Sequence, residues 1–116
     1  MNAYLIDPFE KTLTEVEYNG DFREICRLID AQVFDLARLP NGDAIFVDDE
    51  GLFKRNEFFK HKGYGNPLAG KGLVLGCDEQ GDSTSPSCTL DELSKQVEFG
   101  IPIKVAGKII WLPEGN

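Results

Sequence analysis

The sequence predicts an α+β fold: one small domain over residues 1–116, a mostly antiparallel sheet of about six to seven short strands with two helices. Three observations lead there. Twelve glycines and six prolines in 116 residues punctuate the chain too often for a helical bundle. Short apolar runs between these breakers have strand length and, in places, strand alternation. Only two segments carry both a capping residue and a helical stripe, at Asp21 and at Thr89. The length suits one domain, and such a chain can bury roughly two-thirds of its unfolded surface without disulfide staples.

Tyr4 to Asp7 reads as a first strand closed by Pro8, and Thr12 to Tyr18 as a second. In the second strand Leu13 and Val16 alternate with polar neighbours. Asn19-Gly20 ends it, and Asp21 caps a helix running to about Asp30. Phe22, Ile25, Cys26 and Ile29 fall at i, i+3, i+4 and i+7, one apolar stripe in which Cys26 serves as a small hydrophobe. Val33–Leu39 and Ala44–Asp48 form a hairpin across Pro40-Asn41-Gly42-Asp43, where Asn-Gly predicts positive φ at both turn residues. Asp48-Asp49-Glu50-Gly51 is a solvated turn, because its oxygens lack the spacers of a calcium loop.

Leu73 to Cys77, apolar on both faces, predicts a central strand. Asp78 to Cys88 is a polar loop. Thr89-Leu90-Asp91-Glu92 is a capping box opening a helix with Leu90, Leu93 and Val97 on one side, ending at Gly100. Ile101–Val105 and Lys108–Leu112 form a last hairpin across Ala106-Gly107.

Charge is the most informative feature for function. The chain carries 12 Lys+Arg against 20 Asp+Glu, a net −8. Phe53 to Gly72 reverses that sign, with Lys54, Arg55, Lys60, Lys62 and Lys71 against Glu57 alone: +4 here and −12 elsewhere. The same stretch holds the one histidine, His61, and the aromatics Phe53, Phe58, Phe59 and Tyr64. Cations interleaved with rings and glycines suit an anionic, planar ligand, since rings stack while cations hold phosphate. The candidate ligand site is therefore Lys54, Arg55, Phe59, Lys60, His61, Lys62, Tyr64, Gly70, Lys71 and Gly72. In it Lys60, Lys62 and Lys71 hold charge, Phe59 and Tyr64 stack, and Gly70 and Gly72 admit the backbone close to the ligand. The competing reading is a solvated basic loop whose aromatics fold back into the core.

Gly65-Asn66-Pro67-Leu68-Ala69-Gly70-Lys71-Gly72 matches G-x-x-x-x-G-K, yet glycine stands at 72 where a P-loop needs a magnesium-binding hydroxyl. A strand rather than a helix follows, so no helix N-terminus faces the phosphates. A simpler anion nest at Gly70–Gly72 survives. No catalytic residues are assigned: there is no G-x-S-x-G or H-E-x-x-H, and the lysines flanking His61 should lower its pKa. Cys26, Cys77 and Cys88 lack a CxxC pair, so neither a zinc site nor a disulfide framework is expected. No cofactor is implied. The acidic remainder disfavours direct nucleic-acid binding, and no run is long enough for a membrane span or signal peptide, which predicts a cytoplasmic protein.

Ile6-Asp7-Pro8, Leu39-Pro40-Asn41-Gly42-Asp43, Phe46 to Leu52, Pro67 to Gly76 and Thr89-Leu90-Asp91-Glu92-Leu93 occur in an order that resembles a family of small uncharacterised domains. That family is common in tailed phages, prophages, plasmids and their bacterial hosts. The resemblance covers nearly the whole chain and carries no catalytic residues with it. It implies an accessory protein of a mobile element in bacterial cytoplasm. The expectation is a non-enzymatic protein that binds a phosphate-bearing small molecule, a nucleotide-type signal, and counters host defence. The alternative partner is a host protein, occupied by an acidic inhibitor or DNA mimic. Oligomeric state is left open.

Overall fold

In the computed structural model, which describes residues 1–54 and 56–114, ten strands form two antiparallel sheets accompanied by two short α-helices. The chain order is β1 (Asn2–Asp7), β2 (Thr12–Glu17), α1 (Phe22–Leu28), β3 (Phe34–Arg38), β4 (Ala44–Asp48) and a 3₁₀ turn at Gly51–Phe53. There follow β5 (Phe58–His61), β6 (Leu68–Ala69), β7 (Gly72–Cys77), β8 (Ser83–Thr84), α2 (Leu90–Ser94), β9 (Val97–Val105) and β10 (Lys108–Pro113). The α+β class stands. The strands outnumber the six or seven expected because β5, β6 and β8 are too short, and too rich in Lys, Ser or Gly nearby, to show alternation.

The first sheet runs β2-β1-β7-β4-β3, with β8 added at the end of β7. Leu73, Val74 and Leu75 of β7 are wholly buried because its two faces meet different layers. Leu73 and Leu75 join Ile25 and Ile29 from the α1 region and Tyr18. Val74 joins Ile6, Ile45 and Val47 in a second cluster with Phe59, Leu68 and Leu93, contributed by β5, β6 and α2. The order is thus helix α1, first sheet, second sheet. Full burial of such a side chain is worth about 1.5–3 kcal/mol, so β7 anchors both interfaces.

Three local expectations change. Asp21 caps α1, accepting from the Arg23 N–H at 3.0 Å, but Phe22 is exposed and Cys26 half-buried. A seven-residue helix has barely two turns, and only Ile25, Leu28 and Ile29 reach the sheet. In the β3–β4 turn only Gly42 has positive φ, +93°; the Leu39 carbonyl accepts from Gly42 and the Leu39 N–H donates to Asp43. That is a type I turn with a bulge, in which Asn41 stays right-handed and its carbonyl oxygen Oδ1 accepts from the Asp43 N–H instead. The Thr89 capping box is present, but α2 stops at Ser94 and Val97 opens a nine-residue strand. Gly100 is no helix cap: it pairs with Pro113 and Phe58, and a side chain there would strike the Leu112 carbonyl.

The second sheet runs β10-β9-β5-β6. Phe59 and His61 point to the core, while Lys60 pairs with Glu98 on the opposite face. No described helix is long and apolar enough to cross a membrane.

Candidate functional site

Strand pairing scatters the basic segment instead of gathering it. Lys54 closes on Asp48 at 2.7 Å, and Lys71 on Asp30 at 2.6 Å; each partner holds the lysine pKa above its usual value through that hydrogen bond. Both cations are neutralised by the acidic body, so neither offers a free charge. Lys60 lies 5.9 Å from the centroid of Trp111, whose indole N–H donates to Glu98 at 2.6 Å. Arg55 falls outside the described residues.

The two expected stacking residues separate. Phe59 is 0% exposed and packs in the core between the sheets, so it presents no ring face to a ligand. Hydrophobic burial wins over display because Phe59 lies on the face of β5 that packs against Ile6, Ile45 and Val74 of the first sheet. Tyr64 is exposed beside a cleft of about 240 Å³ shared with Asp35, Asp48 and Asp49, an acidic setting that repels phosphate. Gly72 is also reassigned. A Cβ there would meet Ile45 Cγ2 and Phe59 Cζ, each at 2.8 Å, so core packing demands glycine, with no approach to a ligand. Gly70 has φ +80° and donates its N–H to the Glu57 carbonyl at 2.9 Å, leaving that amide unavailable to an anion. The near-P-loop enters β7 directly, as a strand.

What remains together is His61 and Lys62. They line a pocket of about 300 Å³ with Leu39, Pro40, Asn41, Gly63 and Gln96. His61 is 3% exposed, and its Nδ1 accepts from the Gly63 N–H at 2.9 Å. That bond places the ring proton on Nε2, which is buried without a hydrogen-bond partner among the described residues. The histidine pKa is lowered, chiefly by burial, with the nearby Gln96 side chain and Asp43 charge opposing. The direction matches the expectation; the cause is desolvation, not the flanking lysines. Lys62 is exposed and makes no ion pair among the described residues, while its N–H donates to Gln96 at 3.0 Å.

Asp43 supports one wall. It is 2% exposed and accepts from both the N–H and the hydroxyl of Ser87 at 3.1 Å, tying the β3–β4 turn to the segment before α2. Nothing in the sequence marks Leu39, Pro40 or Gln96 as pocket-lining, because they reach the pocket from a turn and from the α2–β9 junction. Cys77 is exposed and Cys26 and Cys88 half-buried, and no metal-ligand cluster of three occurs among the described residues.

Fold and site thus define a small α+β domain of two sheets with a small, largely apolar pocket at the end of β5, edged by Lys62, Asn41 and Gln96. A profile of a domain of unknown function, DUF3846, matches residues 1–98, and the chain belongs to that family. It is 30% identical over 105 residues to an uncharacterized protein, y4iR, of Sinorhizobium fredii (strain NBRC 101917 / NGR234). That match spans 87% of this chain and 65% of the relative, so the chain covers less than two-thirds of the relative's length. No solved structure matches the chain significantly.

Proposed function

We propose that this domain is a non-enzymatic binding protein for a small phosphate-bearing ligand, held in the His61–Lys62 pocket. The observation that carries this reading is the pocket itself, in which the exposed Lys62, without an ion pair among the described residues, stands with the side-chain amides of Asn41 and Gln96. Lys62 supplies a cation that makes no ion pair among the described residues, and the amides of Asn41 and Gln96 can donate beside it. The volume, about 300 Å³, sits at the small end of ligand sites, fitting a phosphate and its immediate substituents. Lys54 and Lys71 act structurally, tying loops to the acidic body. A setting in a phage or other mobile element, in bacterial cytoplasm and against host defence, belongs to the same proposal and is supported by the sequence resemblance.

A thermal-shift panel of inorganic phosphate, nucleotides and cyclic dinucleotides tests the reading. At a hundredfold excess over Kd a true ligand adds about 2.7 kcal/mol. Lys62→Glu should remove the shift and Lys71→Ala should keep it. A shift lost on Lys71→Ala but kept on Lys62→Glu would move the site back to the glycine loop; no shift for any compound refutes the reading.

A further inference from the structure

Strand β10 is the outer edge of the second sheet, and its backbone pattern limits what can cover it. The Glu114 N–H donates to the Phe99 carbonyl at 2.8 Å, so residue 114 faces β9. Antiparallel pairing alternates, which turns the backbone of Leu112 and Ile110 to β9 as well and that of Ile109, Trp111 and Pro113 outward. Edge strands are ordinarily guarded by charge, shortness or a covering loop. Here Ile109 is 68% exposed, with Ile101, Val105, Ile110 and Leu112 between 45% and 49%. Phe99 to Pro113 holds Lys104 and Lys108 and no acid, so this hairpin is free of the acidic excess of the other residues, which carry 10 cations against 20 acids.

We propose that β10 pairs antiparallel with β10 of a second copy, about a twofold axis through Trp111. Outward residues must meet outward residues. With Trp111 opposite Trp111, Ile109 lies opposite Pro113, whose carbonyl accepts the Ile109 N–H and whose missing N–H leaves the other half of that pair unmade. Ile110 then faces Leu112 on one side of the joined sheet. Lys108 faces Glu114 at both ends, an opposite-charge match that the strand makes with itself. Glu114 already meets Lys11 at 3.2 Å, but both side chains are about half exposed, and the carboxylate has room for a second cation. The contact is isologous, and two such patches together cover on the order of 1,000 Å², where specific interfaces begin. This inference does not depend on the ligand pocket, which β10 does not line.

Sedimentation equilibrium of the full chain over a wide concentration range tests it, with Trp111, the one tryptophan, as a fluorescent reporter. The expected result is a reversible dimer of twice 12.9 kDa. Ile109→Pro removes an outward N–H that β9 does not use and should give a monomer. Lys108→Glu should weaken the dimer roughly tenfold, and Lys108→Glu with Glu114→Lys should restore it, a register test that holds even if Ile109→Pro does not fold. A wild type that stays monomeric at hundreds of micromolar, a dimer unaffected by Ile109→Pro, or a double variant no tighter than Lys108→Glu would each overturn the proposal, as would a stable complex of this edge with a different protein in place of the dimer.

Discussion

Strands β7 and β10 are six residues long and similarly apolar, Gly-Leu-Val-Leu-Gly-Cys against Lys-Ile-Ile-Trp-Leu-Pro, yet five of six β7 residues are buried and five of six β10 residues are exposed. Their intrinsic strand preference does not separate them; if anything the β-branched and aromatic content of β10 is higher. What separates them is position. β7 lies between β1 and β4, with α1 over one face and the second sheet over the other, whereas β10 ends its sheet and contributes no residue to either core cluster among the described residues. Hydrophobicity tells that a strand wants cover. Only the strand order tells whether the chain supplies it.

The comparison can be broken at several points. The largest effect is expected at β7: Leu75→Ala should destabilise by about 2–5 kcal/mol, read from urea unfolding, because a buried leucine leaves a cavity between rigid layers. A loss below 1 kcal/mol would mean that β7 is not the shared centre of both interfaces. Gly72→Ala should cost about 1–3 kcal/mol, since its methyl meets Ile45 and Phe59 at 2.8 Å. A neutral result would reopen a ligand role for this glycine. Thr89→Ala should cost about 1 kcal/mol, because Thr89 Oγ1 accepts from the Glu92 N–H at 3.1 Å and α2 holds Leu93 in the core.

His61 sharpens the boundary within the second sheet, being on β5 but facing inward. Burial lowers its pKa in the folded chain, so the unfolded chain binds the extra proton first and stability rises with pH in that window. The contribution is fully present above the unfolded value of 6.5 and is lost as pH falls toward the lowered folded value. His61→Gln should flatten the stability profile below pH 6.5 relative to wild type; parallel profiles would place the ring in contact with water. The smallest effect is expected at β10, where Ile109→Ser should change monomer stability by no more than about 0.5 kcal/mol at dilute concentration.

Much of the fold was legible because it is written locally. The Asp21 and Thr89 caps, the place of the β3–β4 turn though not its type, and the double-sided run at Leu73–Leu75 each depend on neighbours in sequence, and each stands in the structure. The expected site was less legible. Phe59, Lys60 and His61 adjoin in sequence, but strand alternation turns Phe59 and His61 to the core and Lys60 away from it, while Lys54 and Lys71 lie in loops that meet Asp48 and Asp30. Reading Val97 as helical failed for a related reason: its apolar side suits either period, and pairing with His61 decided for strand.

The sequence by itself determined the α+β class, the place of the β3–β4 and β9–β10 turns, both helix starts and the basic segment's charge, because capping, chain reversal at Gly-rich turns and net charge are properties of short stretches. Only the tertiary structure decided that Phe59 and Gly72 belong to the core, that Lys54 and Lys71 are paired, that His61 and Lys62 share a pocket with Leu39 and Gln96, and that β10 is left at an edge. Each of these depends on which distant strands are neighbours, and burial and ion pairing are energies of neighbours in space.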